Sequence, residues 1–469
     1  MKLSVDSRLE TVRGETLVRF FTREDRGAIP TPVAEGEWSA APGSTLMLHH
    51  AGLLCVGMGE RAKVARQTLR TAAGTAARFL RKAGRRSAAL DLRAYPAWTD
   101  AAAEGALAGQ YLFADFKKAG ARPMERARLI VKAGDLAGAR SLARRGEIAG
   151  TAANLARQVG NQPGNLLYPE TLAKECRRVA KEHGLGVTVL DEKALARGGF
   201  GGMLAVGAGS RRPPRLIVLR HDGGRAGDAP IALVGKAITF DTGGISIKSA
   251  DRMEEMIFDK CGGMSVLGAM AGIARLKLKR NVVGIIVSAE NMPSAAAYRP
   301  GDIVRTYDGT FVEVINTDAE GRMVLADGIA YARKDCRARA VVDLATLTGA
   351  CVVALGDYAA GLWSSSESLQ AALLDASAAT GERLWPMPLY EEYTDQIRSD
   401  VAALKNSGGR PGGACTAAAF LKAFAGDTPW AHLDIAAVAS HSKSRPETSR
   451  GATGFGVRLL IDLVERWKG

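Results

Sequence analysis

The sequence predicts an α/β protein of two domains, and three observations carry that prediction. Its 469 residues exceed what one ordinary hydrophobic core serves. Short apolar runs alternate with stretches of helical periodicity along most of the chain. A cluster of breakers, Asn161-Gln162-Pro163-Gly164-Asn165, interrupts that alternation and marks a boundary, giving an N-terminal domain of 1–160 and a second domain of 161–469.

In the first domain, Thr45 to His49 and Leu53 to Gly57 read as strands. A helix is expected from about Arg61 to Gly84, because Val64, Leu69, Ala72, Ala76, Phe79 and Leu80 recur at helical spacing. Glu104 to Lys118 is a second expected helix, Ala127 to Lys132 a further strand, and Asp135 to Val159 a long helix. This part shows no phosphate-binding glycine fingerprint and no catalytic cluster. In the second domain, Leu216–Leu219, Ile231–Val234, Val282–Val287 and Ala340–Val342 suit buried strands. Helical patterns at Met264–Leu278, Met323–Arg333 and Ala417–Phe424 lie between or after them. Such alternation predicts a doubly wound α/β arrangement with active groups at strand ends.

Composition excludes several classes. The chain is 47% hydrophobic and 24% charged, as globular proteins are. Its most apolar stretch, Ala340 to Gly356, is interrupted by Asp343 and is short for a bilayer span, and Met1 to Asp6 lacks the apolar core of a signal peptide, so a cytoplasmic protein is expected. Six cysteines occur singly, with no Cys-x-x-Cys pair, which reads as reduced, buried thiols. No His-Glu-x-x-His motif is present, so carboxylates must supply most ligands of any metal site. The net charge of +14 is spread along the chain with little aromatic interleaving, which reads as a solvated basic surface rather than a nucleic-acid site.

Three segments concentrate charge among apolar and small residues. The first runs from Val234 to Lys248 and carries Lys236, Asp241 and Lys248. The second places Asp259 just before a small-residue helix, and the third is Asn316-Thr317-Asp318-Ala319-Glu320-Gly321-Arg322. Each alone has a plain structural reading. Asp318 could be an N-cap and Glu320 a first-turn acid, and Lys236 with Asp241 could be a surface ion pair of little worth. Together they form a set of carboxylates, lysines and an arginine that is costly to bury without counter-ions, a cost two divalent cations would remove. Such cations take oxygen ligands, polarise a carbonyl and activate water. Lysine joins the shell only as the neutral amine, while a charged lysine can stabilise an oxyanion.

These three segments resemble the leucyl aminopeptidase family, the cytosol aminopeptidases. So do Ala289 to Ser294, Tyr298 to Asp302, Leu344 to Ala350, Trp430 to Ala436 and Gly451 to Gly456. The match is close from about Asn161 to Leu460, and Asn-Thr-Asp-Ala-Glu-Gly-Arg is the family's specific signature. The resemblance implies a larger C-terminal domain with a mixed sheet flanked by helices and a two-metal site. It implies that Lys236, Asp241, Asp259, Asp318 and Glu320 hold the two metals, manganese or zinc, with Asp241 and Glu320 bridging. Lys236 and Asp259 would go with the ion that meets the substrate amine, and Asp318 would also offer its main-chain oxygen. Lys248 would stabilise the tetrahedral oxyanion, and Arg322 would hold a bicarbonate serving a metal-bound water nucleophile. Met256, Thr346, Leu347 and Gly349 match positions that bind substrate. The activity implied is removal of an N-terminal, leucine-like residue from peptides by a homohexamer, a dimer of trimers.

Two positions depart from the family pattern. Lys260 replaces a hydrophobic residue beside Asp259, and Ala403 stands where aspartate is usual. Cys261, between ligands, reads as a packed thiol rather than a nucleophile. A metal-dependent phosphohydrolase and an additional DNA-binding role are the alternative readings; the first lacks a phosphate-cradling loop, and the second requires strongly salt-dependent binding.

Overall fold

The computed structural model describes residues 1–31, 36–117 and 123–468. It divides into two compact units, Met1–Asn154 with Ser442–Gly451, and Leu155–His441 with Ala452–Gly469.

The first unit holds a six-stranded sheet in the order Lys2–Asp6, Arg126–Ile130, Ser87–Asp91, Glu15–Thr22, Leu53–Gly59, Thr45–Leu48. All neighbours are parallel except the last pair. Val18, Leu54, Val56, Leu90 and Leu129 pack with Leu69 and Leu80 of the Arg66–Lys82 helix in its core. The helix expected at Glu104–Lys118 is instead Thr99–Gln110, with Tyr111 already extended at φ −65° and ψ 132°; Lys118 itself lies outside the described residues. The helix is buried on nearly every side, so it carries no amphipathic period to read. Its glycines explain the burial. A Cβ on Gly105 would stand 2.0 Å from the Arg70 carbonyl oxygen, and one on Gly109 2.1 Å from that of Gly74, so the two helices meet backbone to backbone.

The second unit carries an eight-stranded mixed sheet. Its order is Leu384–Pro386, Ala360–Ser364, Trp430–Asp434, Ala340–Ala345, Ile231–Asp241, Asn281–Asn291, Arg215–Asp222, Gly186–Leu190. The four middle strands, from Trp430–Asp434 to Asn281–Asn291, run parallel, and antiparallel strands flank them. Near-continuous apolar runs suit strands covered on both faces: Ile231 to Val234 and Val341, Val342 and Leu344 are fully buried. The helices Cys261–Leu276 and Glu320–Lys334 pack on this sheet and begin where the chemistry-bearing segments lie. One helical stretch, Met253–Leu276, is long and apolar enough to cross a membrane by length and composition, and it is largely buried within the fold. A small sheet of Ile303–Arg305, Phe311–Glu313 and Leu404–Lys405 supports the segment that leads to Asp318.

Close approach of the Cys261–Leu276 helix to the sheet depends on glycine. A Cβ on Gly235 would lie 2.5 Å from the Gly263 Cα, and one on Gly262 would lie 2.2 Å from the Leu344 carbonyl oxygen. These glycines flank Lys236 and follow Asp259, so the packing that excludes a methyl group also brings these two side chains together.

Candidate metal centre

The centre lies where the middle strands end. Asp241 and Asn291 are the last residues of their strands, and Thr346 directly follows Ala340–Ala345. Carboxyl ends of parallel strands are the usual site of α/β chemistry, because loops there can diverge while the sheet holds their roots rigid. Lys236 lies on the same strand as Asp241; its ammonium is 2.9 Å from Asp259 Oδ1 and 2.8 Å from Glu320 Oε1, and it donates to the Thr346 carbonyl at 2.9 Å. Lys248, in the loop beyond, reaches Asp241 Oδ2 at 2.8 Å and also pairs with Asp318. Lys236 is 3% exposed, so it forms no ordinary surface pair. Nor does Asp318 cap the helix: Ala319 is the N-cap and makes no side-chain capping bond, while the Asp318 carboxylate is spent on Lys248.

Thus four carboxylates meet two ammonium groups, leaving a deficit of positive charge when all are ionised. Burial raises the carboxyls of Asp259 and Glu320 above their usual range; Asp241 pushes them further and the lysines pull them back. Burial works against the ammonium groups of Lys236 and Lys248, but the carboxylates outweigh it and hold both above the usual lysine range. One oxygen from each of Asp241, Asp259 and Glu320 lies within 4.8 Å of the others, and all three residues are buried. Asp259 Oδ2 is buried and has no hydrogen-bond partner among the described residues. An orphaned acceptor within a net-negative, oxygen-rich cluster fits a divalent cation, with Lys236 able to contribute an amine once its proton is displaced.

Several residues that sequence reasoning did not single out hold this set in place. Asn291 donates to Asp241 Oδ1 at 2.8 Å and to the Thr317 carbonyl at 3.1 Å, and buried Tyr298 donates to that carbonyl at 2.8 Å. Asn406 accepts from the Ile315 and Asn316 backbone at 2.7 and 3.2 Å and donates to the Asn316 carbonyl at 2.7 Å. Asp434 accepts from the Leu347 backbone at 3.1 Å and the Thr348 hydroxyl at 2.7 Å. Asn291, Tyr298 and Asp434 lie within stretches that resemble the family, and Asn406 directly follows a short strand; those were the available signals.

The other predicted site residues fall as follows. Thr346 donates to Asp259 Oδ1 at 2.7 Å, Leu347 is half-buried, and Gly349 begins the exposed start of the Gly349–Leu355 helix. Met256 is half-buried in the Met253–Phe258 turn. Arg322 is buried, donates to the Asn406 carbonyl at 2.8 Å, and has its guanidinium lowered to about 10 by burial. Lys260 does not add a free charge: fully buried, it donates to the carbonyls of Gln162, at 2.9 Å, and Ile257. Ala403 is exposed, and its N–H bonds the Phe311 carbonyl at 3.1 Å. All six cysteines are free and buried; burial pushes the Cys261 thiol up to about 12, as suits packing rather than attack.

A mixed α/β sheet with a buried carboxylate–lysine cluster at its parallel strand ends fits the class of metal-dependent α/β enzymes. The comparisons narrow that class. The model of the cytosol aminopeptidase family's catalytic domain matches residues 154–461, and that of its N-terminal domain matches 20–120. A probable cytosol aminopeptidase of Syntrophotalea carbinolica is 44% identical over 457 residues, covering 94% of this chain and 92% of its own. Another, of Roseiflexus castenholzii, is 43% identical over 463 residues and 94% of each chain. Among solved structures, the bottromycin maturation enzyme BotP in complex with Mn aligns with a TM-score of 0.87 at 34% identity, covering 96% of this chain and 99% of that one. The chain belongs to the cytosol aminopeptidase family. It is a peptidase, a metal-dependent hydrolase.

Proposed function

We propose that this protein removes N-terminal, leucine-like residues from peptides at a centre of two divalent cations, manganese or zinc, carried by residues 161–469. The observation that carries the reading is the convergence of Lys236, Asp241, Asp259, Asp318 and Glu320, four carboxylates and an amine left short of positive charge. These five residues would hold the cations. When bound, such ions supply Lewis-acid polarisation of a carbonyl and a water nucleophile ionised near neutral pH. The family match and the Mn named for BotP support the same class of cofactor.

The chain's own residues divide the remaining work. Lys248, which pairs with Asp241 and Asp318, would as a charged ammonium stabilise negative charge that develops on the carbonyl oxygen of the cut bond. Thr346 fixes the Asp259 carboxylate through its hydroxyl. Asp434 holds the Leu347 backbone and the Thr348 side chain, which orders the segment from Thr346 to Gly349 that borders the substrate, and Met256 lines the pocket for the N-terminal side chain. Arg322, anchored on Asn406, offers its remaining guanidinium donors to a small anion such as bicarbonate. By the same resemblance the enzyme is cytoplasmic and works as a homohexamer, which light scattering of the purified protein tests directly.

The decisive experiment is a metal-reconstituted assay across aminoacyl anilides with Glu320→Ala alongside. Activity should be lost in the variant while its circular dichroism stays native. Full activity in Glu320→Ala would reject the assignment, and rapid cleavage of N-acetylated peptides would reject an aminopeptidase in favour of an endopeptidase.

A further inference from the structure

The first unit has its own candidate binding site. Its sheet reverses strand order at one place. From Glu15–Thr22 the chain goes out to the edge strand Thr45–Leu48 and returns through Leu53–Gly59 on one side, and from there the Arg66–Lys82 helix leads back past it to Ser87–Asp91 on the other. From Ser87–Asp91 the strands continue outward to Arg126–Ile130. Connections therefore leave Glu15–Thr22 and Ser87–Asp91 in opposite directions, and a crevice opens beyond the carboxyl ends of these parallel neighbours. Open α/β sheets bind small ligands in the crevice outside the carboxyl ends of the strands at such switch points, where the connections diverge.

A cavity of about 400 Å³ occupies this place. Arg19 and Phe20 line it from one strand, Asp91, Arg93 and Tyr95 from the end of the other, and Lys132 from just beyond Arg126–Ile130. Its charges do not balance. Asp91 takes both guanidinium groups, Arg93 through bonds of 2.9 and 2.8 Å and Arg19 at 3.4 Å. Lys132 adds a third cation with no carboxylate partner among the described residues. One carboxylate thus lines the cavity with three cations, so an anion entering it meets surplus positive charge. The opposite chemistry is also present. Tyr95 stacks on Trp98 with ring centroids 5.4 Å apart and planes 9° from parallel, which stiffens an aromatic wall beside Phe20.

We infer that this cavity binds a nucleoside monophosphate, its phosphate held by Arg19, Arg93 and Lys132 and its base against Tyr95 and Phe20. Cations suit phosphate, aromatic faces suit a base, and the volume lies within the range of small-ligand pockets. Every residue invoked belongs to the first unit, so the inference does not rest on the aminopeptidase reading.

The test is calorimetric titration of the full-length protein at low salt with AMP, adenosine and inorganic phosphate. AMP should bind saturably and on the order of tenfold more tightly than either fragment, since each supplies only one of the two contacts. Arg19→Gln and Lys132→Gln should each weaken AMP on the order of tenfold, the worth of one charge-assisted bond, while leaving peptide hydrolysis unchanged. Tryptophan fluorescence should respond to AMP, and Trp98→Phe should remove most of the response. Absence of saturable AMP binding would overturn the inference, as would equal affinity for inorganic phosphate. So would binding that survives both variants but is lost in Arg280→Gln, which lines a separate basic cleft with Arg225, Lys279 and Arg339.

Discussion

Replacing Gly262 by alanine tests whether close helix–sheet packing sets the geometry of the metal centre. The added methyl carbon would stand 2.2 Å from the Leu344 carbonyl oxygen and 3.1 Å from that of Lys236. Ordinary carbon–oxygen approaches end at about 3.3 Å, so the helix must retreat by about 1 Å. Neither obstacle can swing aside, since both belong to buried sheet backbone. The first turn of Cys261–Leu276 would carry Asp259 with it, away from Lys236 at 2.9 Å and Thr346 at 2.7 Å. Misplacing a catalytic group by that much costs on the order of 100-fold in rate. Overpacking costs about 1–3 kcal/mol of stability, partly offset by up to ~1 kcal/mol from alanine's better helix propensity. Hydrolysis of leucine p-nitroanilide with saturating manganese should therefore show kcat/KM down about 100-fold, while the far-ultraviolet circular dichroism stays that of the parent. A kcat/KM within about twofold of the parent would refute the argument, because a shift small enough to spare the rate cannot accommodate the methyl group.

Three further outcomes are expected. Gly138→Ala, at an exposed helical position with open space around the new methyl group, should raise the urea midpoint by the equivalent of about 0.5–1 kcal/mol and leave activity alone. Asp343→Ala should lower stability by about 2–5 kcal/mol, because Asp343 accepts from the Trp430 indole at 2.7 Å and meets His432 Nδ1 at 2.6 Å, all fully buried; an unchanged midpoint would show that this cluster is not needed. Chelation should abolish hydrolysis and lower the melting temperature, with manganese or zinc restoring both, since the metal-free centre confines excess negative charge. Activity that persists after exhaustive chelation would contradict the centre's role.

Much of this protein is local enough to be written in its sequence. The apolar run Ile231–Val234 is a central strand because a strand covered on both faces needs no polar alternation. The Arg66–Lys82 helix follows its apolar spacing, and Asn316 to Arg322 carries a family signature that names the chemistry. Where burial is complete the local signal fails. Thr99–Gln110 reads poorly because alanine and glycine pack it backbone to backbone against a neighbour, leaving no polar face to set a period. The tertiary structure alone decided whether Asp318 caps a helix or pairs with Lys248, and whether Lys236 is a solvated cation or a buried one. It also turned Lys260 toward main-chain carbonyls, and it recruited Asn291, Asn406 and Asp434 as the frame of the centre. Those outcomes depend on charges and hydrogen bonds between residues tens of positions apart. The approach of Gly235 to Gly262 and Gly263 brings Asp259 within reach of Lys236, and no local pattern encodes that distance.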